Sequence, residues 1–220
     1  MLELNSGTGE DALYFAVLGF RVHATDLSSG MLDKLMQKKS ARTGMDTITT
    51  EQCSFTNLEQ LKNKGPFDYV YSNFGGLNCT GDLNKVLADL TPLIKPSGFL
   101  TLVIISKFCL WESLLIFKGK FRTAFRRFFS SNGRQARAEG KRFKCWYYRS
   151  SFVINALKSH FTLVSLEGLC TIVPPSYIEG FPEKHPVAFA YLCRQENKRK
   201  SAYPWRHIGD YFIITLQKHG

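Results

Sequence analysis

The stretch LELNSGTGEDALYFAVLGFRVHATD, residues 2–26, restricts the fold more than any other part of this chain. A short apolar run enters a turn built from Asn and Gly. An amphipathic segment follows, with Ala12, Phe15, Ala16 and Leu18 at helical spacing, and it stops at Gly19. A second, alternating run ends on Asp26. Strand, glycine turn, helix and strand in this order open a parallel α/β sheet.

The rest of the first half keeps that rhythm. SSGMLDKLMQKKSAR reads as a helix begun by serines able to cap it. TITTEQC is a short third strand, NLEQLKNKG a short helix ending at a Gly-Pro turn, and FDYVYSN a buried strand. TGDLNKVLADLTPLIKPSG is an amphipathic helix closed by Pro96 and Gly98, and FLTLVII is the next strand. Beyond Ser106 the rhythm breaks. WESLLIFKGKFRTAFRRFF reads as one or two helices, RQARAEGKRFKCWYY as a hairpin around Glu139-Gly140, and SSFVINALKSH as a helix. FTLVSLEGL is a strand, HPVAFAYLCRQENKRK a helix and IGDYFIITLQK a final strand. The expected architecture is one α/β domain over residues 1–220, its mainly parallel sheet covered by helices on both faces.

Gly7, Gly9 and Ala12 fit G-x-G-x-x-A, and Asp26 lies about 20 residues on, where an acid grips a ribose hydroxyl. A nicotinamide dinucleotide and S-adenosylmethionine both suit these residues. Glu3 favours the second. A carboxylate below the turn repels a pyrophosphate but attracts an ammonium and a sulfonium. The plainer reading of Glu3 is an exposed charge at a strand end.

LELNSGTG with VHATDLSSGML resembles the first two motifs of the class I S-adenosylmethionine-dependent methyltransferases. Their acidic residue, spacer and glycine turn align with Glu3, Asn5, Ser6, Gly7 and Gly9, Asn5 replacing the first glycine. Asn tolerates positive φ better than most residues, so the turn can survive that exchange. The resemblance implies that Asp26 binds ribose and that Leu27 and Met31 pack the adenosine. It places Asn73 and Phe74, in FDYVYSNFGGLNC, beside the methionine moiety. Ser54 stands where the family often has Asp, so its hydroxyl or the Phe55 amide is the implied adenine contact. LIKPSGFLTLVI and GDYFIITLQK resemble the fifth strand with its lead-in and the last, antiparallel strand. The implied fold is a Rossmann-like seven-stranded sheet, and the implied cofactor is S-adenosylmethionine. Family members usually carry helical sequence before the first strand, whereas Met1 here sits in the strand itself. A natural start, a fragment and a late gene start all imply a more open site.

The net charge of +11 is concentrated. Lys107–Arg149 holds twelve basic and two acidic residues, marking residues 106–149 as a basic insert. The expected role is a lid whose Trp111, Phe117, Phe121, Phe125 and Phe128 cover a hydrophobic acceptor, while Arg122, Arg126 and Arg127 meet an anionic part of it. The alternative is a catalytically weak or inactive S-adenosylmethionine-binding fold that binds nucleic acid or an anionic membrane through residues 107–149. NFGG at Asn73–Gly76 is not the Asn-Pro-Pro-aromatic signature of amino-group methylation on bases or glutamine, which favours a small-molecule acceptor. His160, His185, Tyr147 and Tyr148 are possible general bases, though each reads better as a structural residue. The Pro-rich loop Val173–Pro186 is either a further wall or a rigid connection. Six cysteines without any CxxC spacing argue against zinc and read as reduced thiols in a cytoplasmic protein. The apolar window Phe99–Phe117 contains Lys107 and Glu112, and reads as strand plus helix rather than a membrane span.

Overall fold

The computed structural model describes residues 1–138 and 141–220. Its first half runs β1 (Leu2–Leu4), α1 (Glu10–Val17), β2 (Val22–Asp26), α2 (Ser29–Ser40), β3 (Ile48–Gln52), β4 (Phe67–Ser72), α3 (Leu83–Leu90) and β5 (Ile94–Ile105). The insert carries α4 (Leu110–Leu114), α5 (Phe121–Ala124), β6 (Arg134–Ala138) and β7 (Lys141–Cys145). The chain then adds α6 (Ser150–Leu157), β8 (Phe161–Leu169), α7 (Phe181–Lys184), α8 (Pro186–Arg199) and β9 (Tyr211–Lys218).

Seven strands form one sheet in the order β3-β2-β1-β4-β5-β9-β8. Neighbours among β1 to β5 pair in parallel, and β9 runs antiparallel between β5 and β8. The chain steps outward from β1 to β3, then returns to β4 on the other side of β1. That reversal opens a crevice at the carboxyl ends of β1 and β4, where open α/β sheets take ligands.

Each face has its own core. Leu2, Leu4, Val70, Leu102 and Ile104 meet α3 and α6 through Leu83, Val86, Leu87, Leu90, Val153 and Leu157. The spacing of the α3 leucines puts one apolar stripe on the sheet, and Asp82 caps that helix by accepting from the Lys85 amide at 3.2 Å. On the other face Ala12, Leu13, Ala16 and Leu35 cover Val22, Ala24 and Ile48.

Some boundaries differ from the sequence expectation. The segment after β3 forms only a 3₁₀ turn at Leu58–Gln60, because Leu58 and Leu61 already bury its apolar side. The helix expected to close at Pro96 and Gly98 ends at Leu90, with a further 3₁₀ turn at Thr91–Leu93. Pro96 and Gly98 lie inside β5. Ser28 occupies the N-cap position of α2 but its hydroxyl caps nothing; its amide donates instead to Asp26 Oδ1 at 2.8 Å. The Phe99–Phe117 window divides into the end of β5 and the short α4 with its 3₁₀ continuation. No helix among the described residues is long and apolar enough to cross a membrane.

The insert departs most from expectation. β6 and β7 do pair antiparallel, from Arg134↔Cys145 to Ala138↔Lys141, while the Glu139-Gly140 turn lies outside the described residues. The arginines, however, are turned inward. Arg127 is 2 % exposed. It donates to Glu112 Oε1 at 2.7 Å, to the Ser106 and Asp210 carbonyls at 2.8 and 3.0 Å, and to the Asp210 carboxylate. Arg126 holds the other Glu112 oxygen at 2.9 Å. Burial raises the Glu112 carboxyl, but the two guanidiniums outweigh it and hold the group below the usual carboxylate range. Phe117, Phe121, Phe125 and Phe128 are exposed instead. Of the three arginines expected to meet an anion, Arg127 is buried and clasps the insert to Asp210, just before β9, while the half-exposed Arg126 pairs with Glu112 within the insert. Arg122 is exposed.

Candidate functional site

The loop after β1 is held in shape by backbone that ordinary residues avoid. Asn5, Gly7 and Gly9 have φ of 55°, 53° and 80°. A Cβ on Gly9 would stand 2.1 Å from Leu35 Cδ1, so glycine is required there by conformation and by space. A Cβ on Gly7 would meet nothing within 4 Å, so the turn is open above that residue. Asp26, at the end of β2, fastens the turn from the side. Its Oδ2 accepts the Gly7 amide at 3.0 Å while Oδ1 holds Ser28.

Glu3 lies under this turn. Its register places it between Ala24 on β2 and Tyr71 on β4, on the face covered by α1. It is 2 % exposed, which excludes the plain strand-end charge. Its Oε2 and the buried Ser6 hydroxyl lack any partner among the described residues. Burial, then the carboxylates of Asp11 and Asp26, push the Glu3 carboxyl up to about 8. Three acids thus converge on one crevice, and none of them forms a salt bridge among the described residues. A buried carboxyl without a partner costs several kcal/mol unless a ligand meets it.

Asn73 follows β4 and closes the crevice from the far side. Its Nδ2 donates to Asp11 Oδ2 at 2.7 Å and its Oδ1 accepts the Phe74 amide at 2.8 Å. Phe74 sits at φ 43°, with its ring 69 % exposed and edge-on to Tyr211. Asn5 reaches Ser72 at 3.2 Å, tying the two loops together. Leu27 is exposed and Met31 half-buried at the β2 rim. The Ser54 hydroxyl is engaged in its own turn, with Thr56 Oγ1 at 2.8 Å and the Thr56 amide at 3.2 Å, and Phe55 packs on the core.

Glu3, Asn5, Ser6, Gly7, Gly9 and Asp26 therefore meet around one turn, with Asn73 joined to them through Asp11. Ser54 and Phe55 follow the end of β3, the strand beside β2, where the Cys53 amide donates to the Asp26 carbonyl at 3.1 Å. Asp11 was missed by sequence reasoning; its only signal is an acid in the first turn of the helix that the glycines open.

Of the general-base candidates, Tyr147 packs its ring under an arginine and Tyr148 is engaged through its hydroxyl. The Arg127 guanidinium lies 5.2 Å from the Tyr147 ring centre. The Tyr148 hydroxyl donates to the Thr80 carbonyl, and burial pushes its phenol up to about 12. The His185 ring packs against Phe181. A cavity of about 690 Å³ lined by His23, Phe67, Tyr69 and Lys95 lies at the amino ends of these strands, opposite the turn.

Residues 1–98 match the family model described as a methyltransferase domain. No curated protein matches the sequence significantly. Among solved structures, an S-adenosylmethionine-dependent methyltransferase from Methanosarcina mazei superposes with a TM-score of 0.65 at 15% identity, over 99% of this chain and 91% of that one. The CcbJ methyltransferase of Streptomyces caelestis gives 0.63 at 16% identity, over 100% and 83% of the two chains. A 1,6-didemethyltoxoflavin-N1-methyltransferase from Burkholderia thailandensis, solved with 1,6-didemethyltoxoflavin and S-adenosylhomocysteine, gives 0.55 at 17% identity, over 100% and 70%. At these identities the likeness establishes the fold.

Proposed function

We propose that this chain, which has the class I methyltransferase fold and whose residues 1–98 match a methyltransferase domain, is an S-adenosylmethionine-dependent methyltransferase that methylates a small molecule. One observation carries the cofactor assignment: the buried Glu3 carboxyl with an unpartnered oxygen, beside the unpartnered Ser6 hydroxyl. A pyrophosphate would add negative charge to a crevice that already holds Glu3, Asp11 and Asp26. A cationic ligand relieves that repulsion.

S-adenosylmethionine, when bound, supplies a methyl group already activated on a sulfonium. Glu3 holds the positive methionine end, and Ser6 offers a hydroxyl to the same region. Asp26, fixed by two amides, keeps further lone pairs for ribose hydroxyls. Leu27 and Met31 flank the adenosine, with the Ser54–Phe55 turn beside it. Since the Ser54 hydroxyl is engaged within its own turn, the Phe55 amide is the better adenine contact. Asn73 and Phe74 border the methyl group. The remaining task of the protein is to align the acceptor in line at about 3–3.5 Å and to keep water out. A base is needed only where the acceptor atom carries a proton. The insert, residues 106–149, is the lid in this reading. The buried Arg127 clasp fixes it to Asp210, the residue before β9.

The test is turnover. Purified protein with S-adenosylmethionine and a panel of phenol, amine, thiol and carboxylate acceptors should release S-adenosylhomocysteine with at least one class. Absence of product across the panel, with the protein folded and the cofactor bound, overturns the reading.

A further inference from the structure

A second cavity, of about 510 Å³, lies past the carboxyl end of β5, where Ser106 and Lys107 meet the amino end of α6. That volume suits a small organic molecule. Its walls differ from those of the Glu3 crevice. Lys107, Arg149 and Arg206 line it, and no carboxylate does. None of the three cations forms a salt bridge among the described residues: Lys107 donates to Ser130 Oγ at 2.7 Å, and Arg206 to His207 Nε2 at 3.1 Å. Burial, then the nearby Arg149, holds the Lys107 ammonium below its ordinary value, as expected for a cation without a counter-charge.

Two further features point inward. α6 begins at this cavity with Arg149 at its N-cap, a side chain that cannot accept, so its first-turn amides lack a side-chain cap. Ser106 is 4 % exposed and its hydroxyl has no partner among the described residues. It follows Ile104 on the α6 face of the sheet, and it lines the cavity. A buried hydroxyl without a bond, a row of unpaired cations and an uncapped helix start share one need, an anionic acceptor. The other walls are Phe108, Phe128, Tyr148 and Phe212, which suit a flat apolar body.

We propose that this cavity binds a small aromatic anion, with its carboxylate or phosphate held by Lys107, Arg149, Arg206, the Ser106 hydroxyl and the α6 amides, and its ring between the phenylalanines. Most of its walls belong to the insert that the proposed function makes the acceptor lid, but its test needs no cofactor and reads anion binding alone.

Titration calorimetry with benzoate, phenyl phosphate, inorganic phosphate and neutral benzamide provides the test, alongside amide NMR spectra. Benzoate or phenyl phosphate should bind, weaken as salt rises, and shift the Ser150 and Ser151 amide signals. Benzamide and inorganic phosphate should each bind at least tenfold more weakly. R149A/R206A, which changes only surface-reaching side chains, should keep the wild-type melting temperature and lose at least tenfold in affinity. S106A should lose affinity without losing the salt dependence. No binding by either aromatic anion, equal binding of benzamide, equal binding of inorganic phosphate, or unchanged affinity in R149A/R206A would overturn the proposal. The carboxylate and phosphate arms distinguish which headgroup the site prefers.

Discussion

The Glu3 crevice and the Arg127 clasp both bury ionisable groups, and they handle them in opposite ways. Arg127 meets two carboxylates and two carbonyls, so almost every donor it has is satisfied. Glu3 meets two more carboxylates and leaves an oxygen without a partner. A buried ionisable group with four of its five donors satisfied holds a structure together. A buried carboxyl that meets only other acids marks a place where a cation can bind. By that criterion the basic insert contributes Arg127 to architecture, and the quiet acidic strand is the candidate ligand site.

The largest expected effect breaks the clasp. Arg127→Met leaves Asp210 buried without its cation and Glu112 with Arg126 alone, which costs about 3–5 kcal/mol. At this chain length that lowers the melting temperature by roughly 10 °C. S-adenosylmethionine affinity of the folded fraction should change less than threefold. A loss below about 1 kcal/mol would show that the clasp is not structural.

Next comes the turn. Gly9→Ala forces a Cβ into Leu35 at positive φ and should cost about 2–3 kcal/mol. Gly7→Ala meets only the backbone penalty, about 1 kcal/mol, because its Cβ would stand in open space. Equal melting temperatures for the two variants would contradict the packing described for Gly9.

Glu3 itself gives a pH signature. Its folded pKa, about 8, lies above the unfolded value near 4.5, so folding prefers the protonated form. Its stabilising contribution is complete below pH 4.5 and is lost as pH rises through 8. Glu3→Gln should therefore match the wild type at acid pH and exceed it by a few kcal/mol at pH 9. Saturating S-adenosylmethionine should narrow that gap. Parallel stability curves from pH 5 to 9 would contradict it. The smallest effect is Ser6→Ala, which removes a buried hydroxyl with no partner. Melting of the free protein should move by less than about 0.5 kcal/mol, with the loss seen in cofactor affinity.

How much of this was legible follows from chain distance. The turn was legible because local backbone demands select Asn5, Gly7 and Gly9 within a few residues. The sheet order follows from the strand and helix rhythm together with right-handed crossovers. The insert was misread because its partners are remote. Nothing near Arg127 in sequence announces Asp210, 83 residues on. A count of charges cannot separate a paired arginine from a free one. Ser54 shows the same limit at short range, since its hydroxyl turns back to Thr56 rather than outward. Pro96 and Gly98 looked like a helix stop and instead shape the start of β5.

The most direct measurement is the proton count on binding S-adenosylmethionine at pH 7, by calorimetry in buffers of different ionisation enthalpy, for the wild type and Glu3→Gln. With its carboxyl at about 8, Glu3 is mostly protonated in the free protein, and a cationic ligand makes it ionise. The account predicts release of about one proton by the wild type and none by Glu3→Gln, which binds at least tenfold more weakly. Equal proton counts and equal affinities would show that Glu3 does not face the ligand.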